Sequence, residues 1–386
     1  MTALLVPFSQ EHDLGCAETT LLRGSWYEID LGAIRHNYRQ LREQLPTNVK
    51  IYACLKRNGY GCGAGPVAGA LASEGADGFA VASLLDAVSI RRAGVGHRIL
   101  LYPGALPTAG PMVEALDLTV SVSSIDELER WRSVMTRTRV FIKVDLGFFR
   151  AGATPQEAGG LLAAAHAHSD VHIDGIYAHL SELPTSKPTD AVNQLGRMQA
   201  ILAGAEARGG RPVIAMMSST EGVLTYPDMD LDAVDPGALF VGLPEAQRPT
   251  RHLTLRPALK AICTTVVAMK RLDVSLGPTP EIPGFQPGMV LGVLGMGWGD
   301  GLPRLIPRNA EAIVGGKRAR LLPPAHLEHL RIDLTEVPEA RFGDQVVLLG
   351  RQGDEVITHE EIAALWGTDV IGLYAGLRDH IPRIYT

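Results

Sequence analysis

The run Ile51-Tyr52-Ala53-Cys54-Leu55-Lys56-Arg57-Asn58-Gly59-Tyr60-Gly61-Cys62-Gly63 joins an apolar, strand-type stretch to a glycine-rich turn through a lysine. An ammonium at the buried end of a strand loses its water, which is costly. The cost has a use if the amine is chemical: a desolvated lysine has a lowered pKa and becomes a nucleophile or forms a Schiff base. The glycines that follow let backbone N–H groups approach an anion closely. Lys56 therefore reads as an aldehyde-binding amine beside a phosphate-sized site, which suggests pyridoxal phosphate. The plainer alternative is a strand-to-helix turn whose lysine reaches back to solvent.

The elements that must position this lysine recur along the chain. Apolar, strand-like runs fall at 49–55, 77–82, 98–102, 117–122, 139–145, 172–179, 212–218 and 233–241, with Ala- and Leu-rich helical spacing between them. Eight strands alternating with helices predict a closed (β/α)8 barrel, and a span of about 200 residues suits its lower size limit. In such barrels chemistry sits at the C-terminal strand ends, where Lys56 falls. From about Leu255 the texture changes to short β-rich pieces broken by Gly and Pro: Ala261–Lys270, Met289–Leu294, Ala312–Arg318, Leu330–Leu334 and Gln345–Leu349. Only His359–Leu365 has helical spacing there. The expected organisation is an extension at 1–24, a barrel domain at 25–255 and a mostly β domain at 256–386. The early strand at 26–31 is free to join the β domain.

Composition narrows the function classes. With 386 residues, 46% hydrophobic and 20% charged, the chain reads as a soluble globular protein of two domains. A net charge of −6 without a basic run gives no nucleic-acid footprint, and no apolar run is long enough to span a bilayer. Residues 1–24 lack a basic start and carry Glu11 and Asp13, so they read as an arm rather than a signal peptide. Cys16, Cys54, Cys62 and Cys263 show neither metal spacing nor a disulfide framework, which suits the reducing cytoplasm. No metal site is expected.

Several motifs together resemble the alanine racemase family. They are Trp26-Tyr27-Glu28-Ile29-Asp30-Leu31, the Lys56-x-Asn58-x-Tyr60-Gly61-x-Gly63 turn, Lys143-Val144-Asp145-x-Gly147-x-x-Arg150 and Gly175-Ile176-Tyr177-x-His179. Pro236-Gly237, Gly299-Asp300-Gly301-x-Pro303-Arg304 and Ile381-Pro382-Arg383-Ile384-Tyr385 complete the pattern, in order, from about residue 26 to the end. The resemblance implies a pyridoxal phosphate enzyme with a barrel followed by a β domain, acting on a small-molecule amino-acid substrate. The size and identity of that amino acid are not given by the sequence. The resemblance also implies a homodimer with shared active sites. By the same resemblance, Lys56 is the Schiff-base lysine and one catalytic base. Tyr60 and Gly237 contact the phosphate, and Ser219 and Thr220 fall where the family binds it with an Asn-Ser pair. Arg150 bonds the cofactor's phenolic oxygen, Lys143 supports that arginine, and His179 packs on the pyridine ring.

Three positions depart from that pattern. Asp235 stands where the family has an arginine facing the pyridine nitrogen; an aspartate there favours the protonated ring, unless it merely caps a turn. Trp298 replaces the tyrosine that acts as second base, and indole has no usable acid–base chemistry. Asp379 replaces another active-site tyrosine, and its carboxylate is a candidate base or ammonium partner. Leu327, in His326-Leu327-Glu328-His329, falls where the family meets the substrate carboxylate. The leading expectation is thus a racemase or epimerase that moves a Cα proton through a Schiff base at Lys56, with an altered second base. The alternatives are a one-face reaction on an amino acid (decarboxylation, retro-aldol cleavage, elimination or transamination) or a protein that binds pyridoxal phosphate without turnover.

Overall fold

The computed structural model describes residues 23–181, 187–208, 210, 214–244, 246, 249–273 and 285–386. The extension expected at 1–24 lies outside them apart from Arg23 and Gly24. The described chain divides into a unit spanning Leu31–Ala258 and a second unit containing the segment before Leu31 together with Leu259–Thr386.

The first unit is the expected closed barrel. Its strands are β2 (Lys50–Cys54), β3 (Gly78–Val81), β4 (Arg98–Leu101), β5 (Leu118–Val122), β6 (Thr138–Lys143), β7 (Val171–Tyr177), β8 (Ile214–Ser218) and β9 (Ala233–Val234). All pair in parallel, and closure comes from Lys50 against Ala233 and Ile51 against Val234. Inside, Tyr52, Phe141 and Tyr177 pack edge to face, at 6.0 Å between ring centroids in both pairs. Large rings here require small neighbours: a Cβ on Gly78 would stand 2.6 Å from the Tyr52 ring, and one on Gly175 2.4 Å from the Phe141 ring.

The connecting helices start where the sequence supplies caps. Ser83 accepts the Asp86 N–H to open Leu84–Arg92, and Ser124 accepts the Glu127 N–H to open Ile125–Arg132. Thr154 and Glu157 form a reciprocal capping box at the start of Pro155–His166. Helix Leu31–Gln44 buries Ile34, Asn37, Tyr38 and Leu41, and Asn37 donates to the carbonyls of Phe240 and Arg256 at 3.0 and 2.8 Å.

The second unit is a nine-stranded, mostly antiparallel sheet. Its longest strand, β10 (Leu259–Arg271), pairs with β1 (Ser25–Ile29), which in turn pairs in parallel with the C-terminal strand Arg383–Tyr385. The single strand expected over Ala312–Arg318 is instead a hairpin of Glu311–Val314 and Lys317–Leu322. Gly315 and Gly316 hold φ of 59° and 74°, the left-handed pair that a two-residue hairpin turn requires. A short helix that the spacing did not suggest, Val370–Ala375, is capped by Asp369.

Candidate active site

Directly after β2, Arg57, Asn58, Gly59 and Tyr60 take φ values of 56°, 54°, 61° and 56°, one turn of left-handed helix. Three of these residues carry side chains, and the conformation costs each roughly 1–2 kcal/mol. Local hydrogen bonds offset this. Asn58 donates its N–H to Asp86 Oδ1 at 2.9 Å and accepts the Ala64 N–H on Oδ1 at 2.8 Å. The turn folds Tyr60 back so that a Cβ on Gly237 would lie 2.4 Å from the Tyr60 hydroxyl. Glycine at 237 is thus what allows a phenol and a backbone to meet there.

Lys56, expected at a buried strand end, is solvent-exposed, with Nζ 6.0 Å from the Tyr60 ring centroid. The buried lysine is Lys143 at the end of β6, only 5% exposed, with Nζ 4.3 Å from the Tyr177 ring centroid. Burial draws its pKa well down; Asp235 pulls against that shift, and Arg150 adds to it.

Beyond β6, Asp145 organises the loop that carries Arg150. Its carboxylate accepts the N–H groups of Gly147, Phe148 and Arg150 at 2.8, 2.7 and 3.0 Å. Burial pushes its pKa up, but these backbone donors outweigh that and hold the group below the ordinary range. The Arg150 guanidinium lies 4.3 Å over the Phe148 ring, and that ring meets the His179 ring edge-on at 5.3 Å. His179 follows β7. Burial, then the positive charges of Lys143, Lys56 and Arg150, lower its pKa to about 3, so the imidazole is neutral at pH 7.

At the end of the neighbouring strand, β8, Ser219 precedes and Thr220 opens the short helix Thr220–Thr225. The Gly237 N–H, expected to face an anion, donates to Thr220 Oγ1 at 3.3 Å, and the Leu239 N–H does so at 3.4 Å. That leaves the Thr220 hydroxyl proton to be given elsewhere. Asp235 closes the floor: it is 4% exposed, and its Oδ2 accepts the Tyr102 O–H at 2.6 Å. Its Oδ1 is buried without a hydrogen-bond partner. Burial raises the pKa of this carboxyl, and Tyr102, Lys143 and Lys56 oppose the rise.

All of these barrel candidates line one cavity of about 780 Å³. Tyr102, Tyr177, Phe148 and Cys54 line it too, and none of them is among the site residues expected from the sequence. A signal for Tyr102 existed, because it ends the 98–102 run and barrel chemistry gathers at strand ends.

The cavity suits pyridoxal phosphate. It offers an accessible amine for the aldehyde and hydroxyls of Tyr60 and Thr220 beside Gly237 for the phosphate. Asp235 Oδ1 is an acceptor still lacking a donor, which a ring N–H would supply.

The remaining candidates belong to the β unit. The Trp298 N–H donates to the His326 carbonyl at 2.9 Å and the Gly299 N–H to the Leu327 carbonyl at 2.8 Å, so two loops present Trp298 and Leu327 together. Trp298 is 39% and Leu327 54% exposed. The Asp379 carboxylate lies 3.6 Å from the Arg383 guanidinium. Buried Asp300 ties the loops: Oδ1 meets His380 Nε2 at 3.0 Å, and Oδ2 accepts the Gly297 N–H at 2.9 Å.

The chain matches the family model for the alanine racemase N-terminal domain over residues 29–245 and that for the C-terminal domain over residues 281–385. Among curated relatives, the alanine racemase of Symbiobacterium thermophilum is 32% identical over 378 residues, covering 94% of this chain and 97% of that protein. The alanine racemase of Sorangium cellulosum is 31% identical over 384 residues, covering 94% and 99%. Among solved structures, alanine racemase from E. faecalis superposes with a TM-score of 0.83 at 28% identity, covering 95% of this chain and 99% of that one. The Bacillus anthracis alanine racemase with bound L-Ala-P gives 0.82 at 27% identity, covering 94% and 95%.

Proposed function

The chain belongs to the alanine racemase family, and from that premise we propose that it is an amino-acid racemase or epimerase whose proton-transfer pair departs from the family pattern. The carrying observation is convergence: candidates from separate strand ends, Lys56, Arg150, His179, Thr220 and Asp235, line one cavity. Pyridoxal phosphate, when bound, supplies an aldehyde for an amino group and a ring that draws electrons from Cα. Lys56 would hold the aldehyde and, released from it, carry a Cα proton on one face. Tyr60, Thr220 and Gly237 would hold the phosphate, Arg150 the phenolic oxygen and Asp235 the ring nitrogen. Lys143 supports Arg150 through the loop between them, and neutral His179 adds no charge beside the ring.

Inversion needs a second proton carrier on the other face. Trp298 has no acid–base group, so its part is to wall the pocket with Leu327, and Asp379 is the carboxylate available for the second transfer. The β-unit residues would come from a second copy, making the working unit a homodimer with shared sites. Cys54 and Cys263, both free and buried, support placement in the reducing cytoplasm. Among the described residues no helix is long and apolar enough to cross a membrane.

The test is α-proton exchange. Holo-protein is incubated in deuterated buffer with a panel of L- and D-amino acids, and deuterium and chirality are read in the same samples. Exchange with inversion is expected, and Asp379→Asn should suppress inversion more than exchange. Exchange with retained chirality would favour a one-face reaction, the second reading. The Asp235 floor supports that reading, since a carboxylate at the ring nitrogen makes the ring a stronger electron sink.

A further inference from the structure

We propose that Tyr102 is a positioning residue that holds Asp235 so that Oδ1 alone faces the cavity as the acceptor for a protonated heteroaromatic nitrogen. The inference rests on the pyridoxal phosphate reading of this site and extends it to the state of the ring. Tyr102 lies directly after β4 and Asp235 directly after β9, so the contact spans the barrel mouth between residues 133 apart in sequence. The phenol donates to Oδ2 at 2.6 Å, a short charge-assisted bond. One oxygen is thereby engaged, and the other stays buried with no donor from the described residues. A buried acceptor left unmade is unfavourable, so the geometry selects a ligand that brings an N–H.

The Tyr102 ring is itself held: it packs against Tyr177 at 5.8 Å, and the Tyr177 hydroxyl lies 2.7 Å from Ser121 Oγ, which donates to the Leu101 carbonyl at 2.9 Å. The chain from Ser121 to Asp235 therefore ties the orientation of the carboxylate to the barrel wall. The charged and titratable groups around it are Lys143, Lys56, Cys54 and Tyr177. The two lysines favour the ionised acid that an N–H needs, and burial opposes them. Tyr102 adds to the lysines' side of that balance. A ring nitrogen kept as N–H withdraws more charge from Cα than an unprotonated one, so Tyr102 acts on the chemistry without touching the reacting carbon.

The test uses protein reconstituted with pyridoxal phosphate labelled with 15N at the ring, together with the dissociation constant for the cofactor. In the wild-type holo-protein the 15N resonance is expected in the protonated range. Tyr102→Phe keeps the ring packing and removes the donor; it should move the resonance toward the unprotonated range and weaken cofactor binding roughly tenfold. Asp235→Asn should move both at least as far. Tyr102→Phe on the Asp235→Asn background should add nothing, because Tyr102 acts through that carboxylate. Should the single Tyr102 variant fail to fold, the double variant strands no carboxylate and carries the same comparison. A Tyr102→Phe protein with wild-type resonance and affinity, beside a shifted Asp235→Asn protein, overturns the role of Tyr102. So does a further loss in the double variant. If Asp235→Asn also changes nothing, the ring-nitrogen reading of Asp235 falls with it.

Discussion

His179 is half-buried; burial first, then the cations Lys143, Lys56 and Arg150, lower its pKa. Its folded pKa of about 3 lies below the unfolded value of about 6.5. Between those values the unfolded chain binds a proton that the folded chain refuses, so stability falls as pH drops from about 6.5 toward 3 and is unaffected above 6.5. Allowing for solvent screening, the term is on the order of a few kcal/mol. His179→Gln should flatten that part of the acid-unfolding curve of the apoprotein; an unchanged curve would mean that the imidazole takes a proton freely. Lys56 gives a second expectation at this scale. Lys56→Ala should abolish the visible absorbance of the bound cofactor while unfolding at the wild-type temperature, because an exposed side chain contributes little to packing. Persistence of that absorbance would assign the aldehyde to another lysine, and buried Lys143, whose amine is more easily deprotonated, would be the first to examine.

Two turns set the wall proposed to hold the phosphate, the left-handed turn at 57–60 and the Pro236-Gly237 step. They meet where the Tyr60 phenol overlies Gly237, with no room for a Cβ: the clash distances are 2.4 Å to the hydroxyl and 2.8 Å to the Cys54 carbonyl. The carbonyl cannot move without shifting β2. Gly237→Ala should therefore displace Tyr60 and the Thr220 contact together and weaken cofactor binding by tenfold or more, at a stability cost of roughly 1–3 kcal/mol. Titration of apoprotein with pyridoxal phosphate, followed by protein fluorescence, measures the first effect. Wild-type affinity would show that Tyr60 takes no part in holding the phosphate.

The whole molecule places its candidates in two units, the proposed cofactor residues in the barrel and Trp298, Leu327 and Asp379 in the β unit. The β unit also exposes Leu305 at 82%, and the barrel exposes Phe149 at 93%. Single exposed apolar side chains are ordinary on a protein surface, so the proposed homodimer rests on the shared-site reading and Leu305 serves only as its probe. Sedimentation equilibrium is expected to give a dimer at micromolar concentration. Leu305→Glu should shift it toward monomer and reduce turnover with the cofactor absorbance retained. A wild-type monomer that is fully active would remove the shared-site arrangement.

Eight alternating apolar runs favoured a closed barrel over an open sheet, because strand and helix periodicity are local properties legible in the sequence. The same locality put Lys56 and His179 just past strand ends and Arg150 on the loop after β6, and so on one rim. What each of them experiences there was decided by packing. Burial is a sum over neighbours from many strands, so it fell on Lys143 and left Lys56 exposed, the reverse of what a lysine at the end of an apolar run suggested. Asp235 was legible as a departure, and Tyr102 was visible as a strand end. Their 2.6 Å contact was not, since it joins residues 133 apart whose meeting depends on the register of the closed barrel.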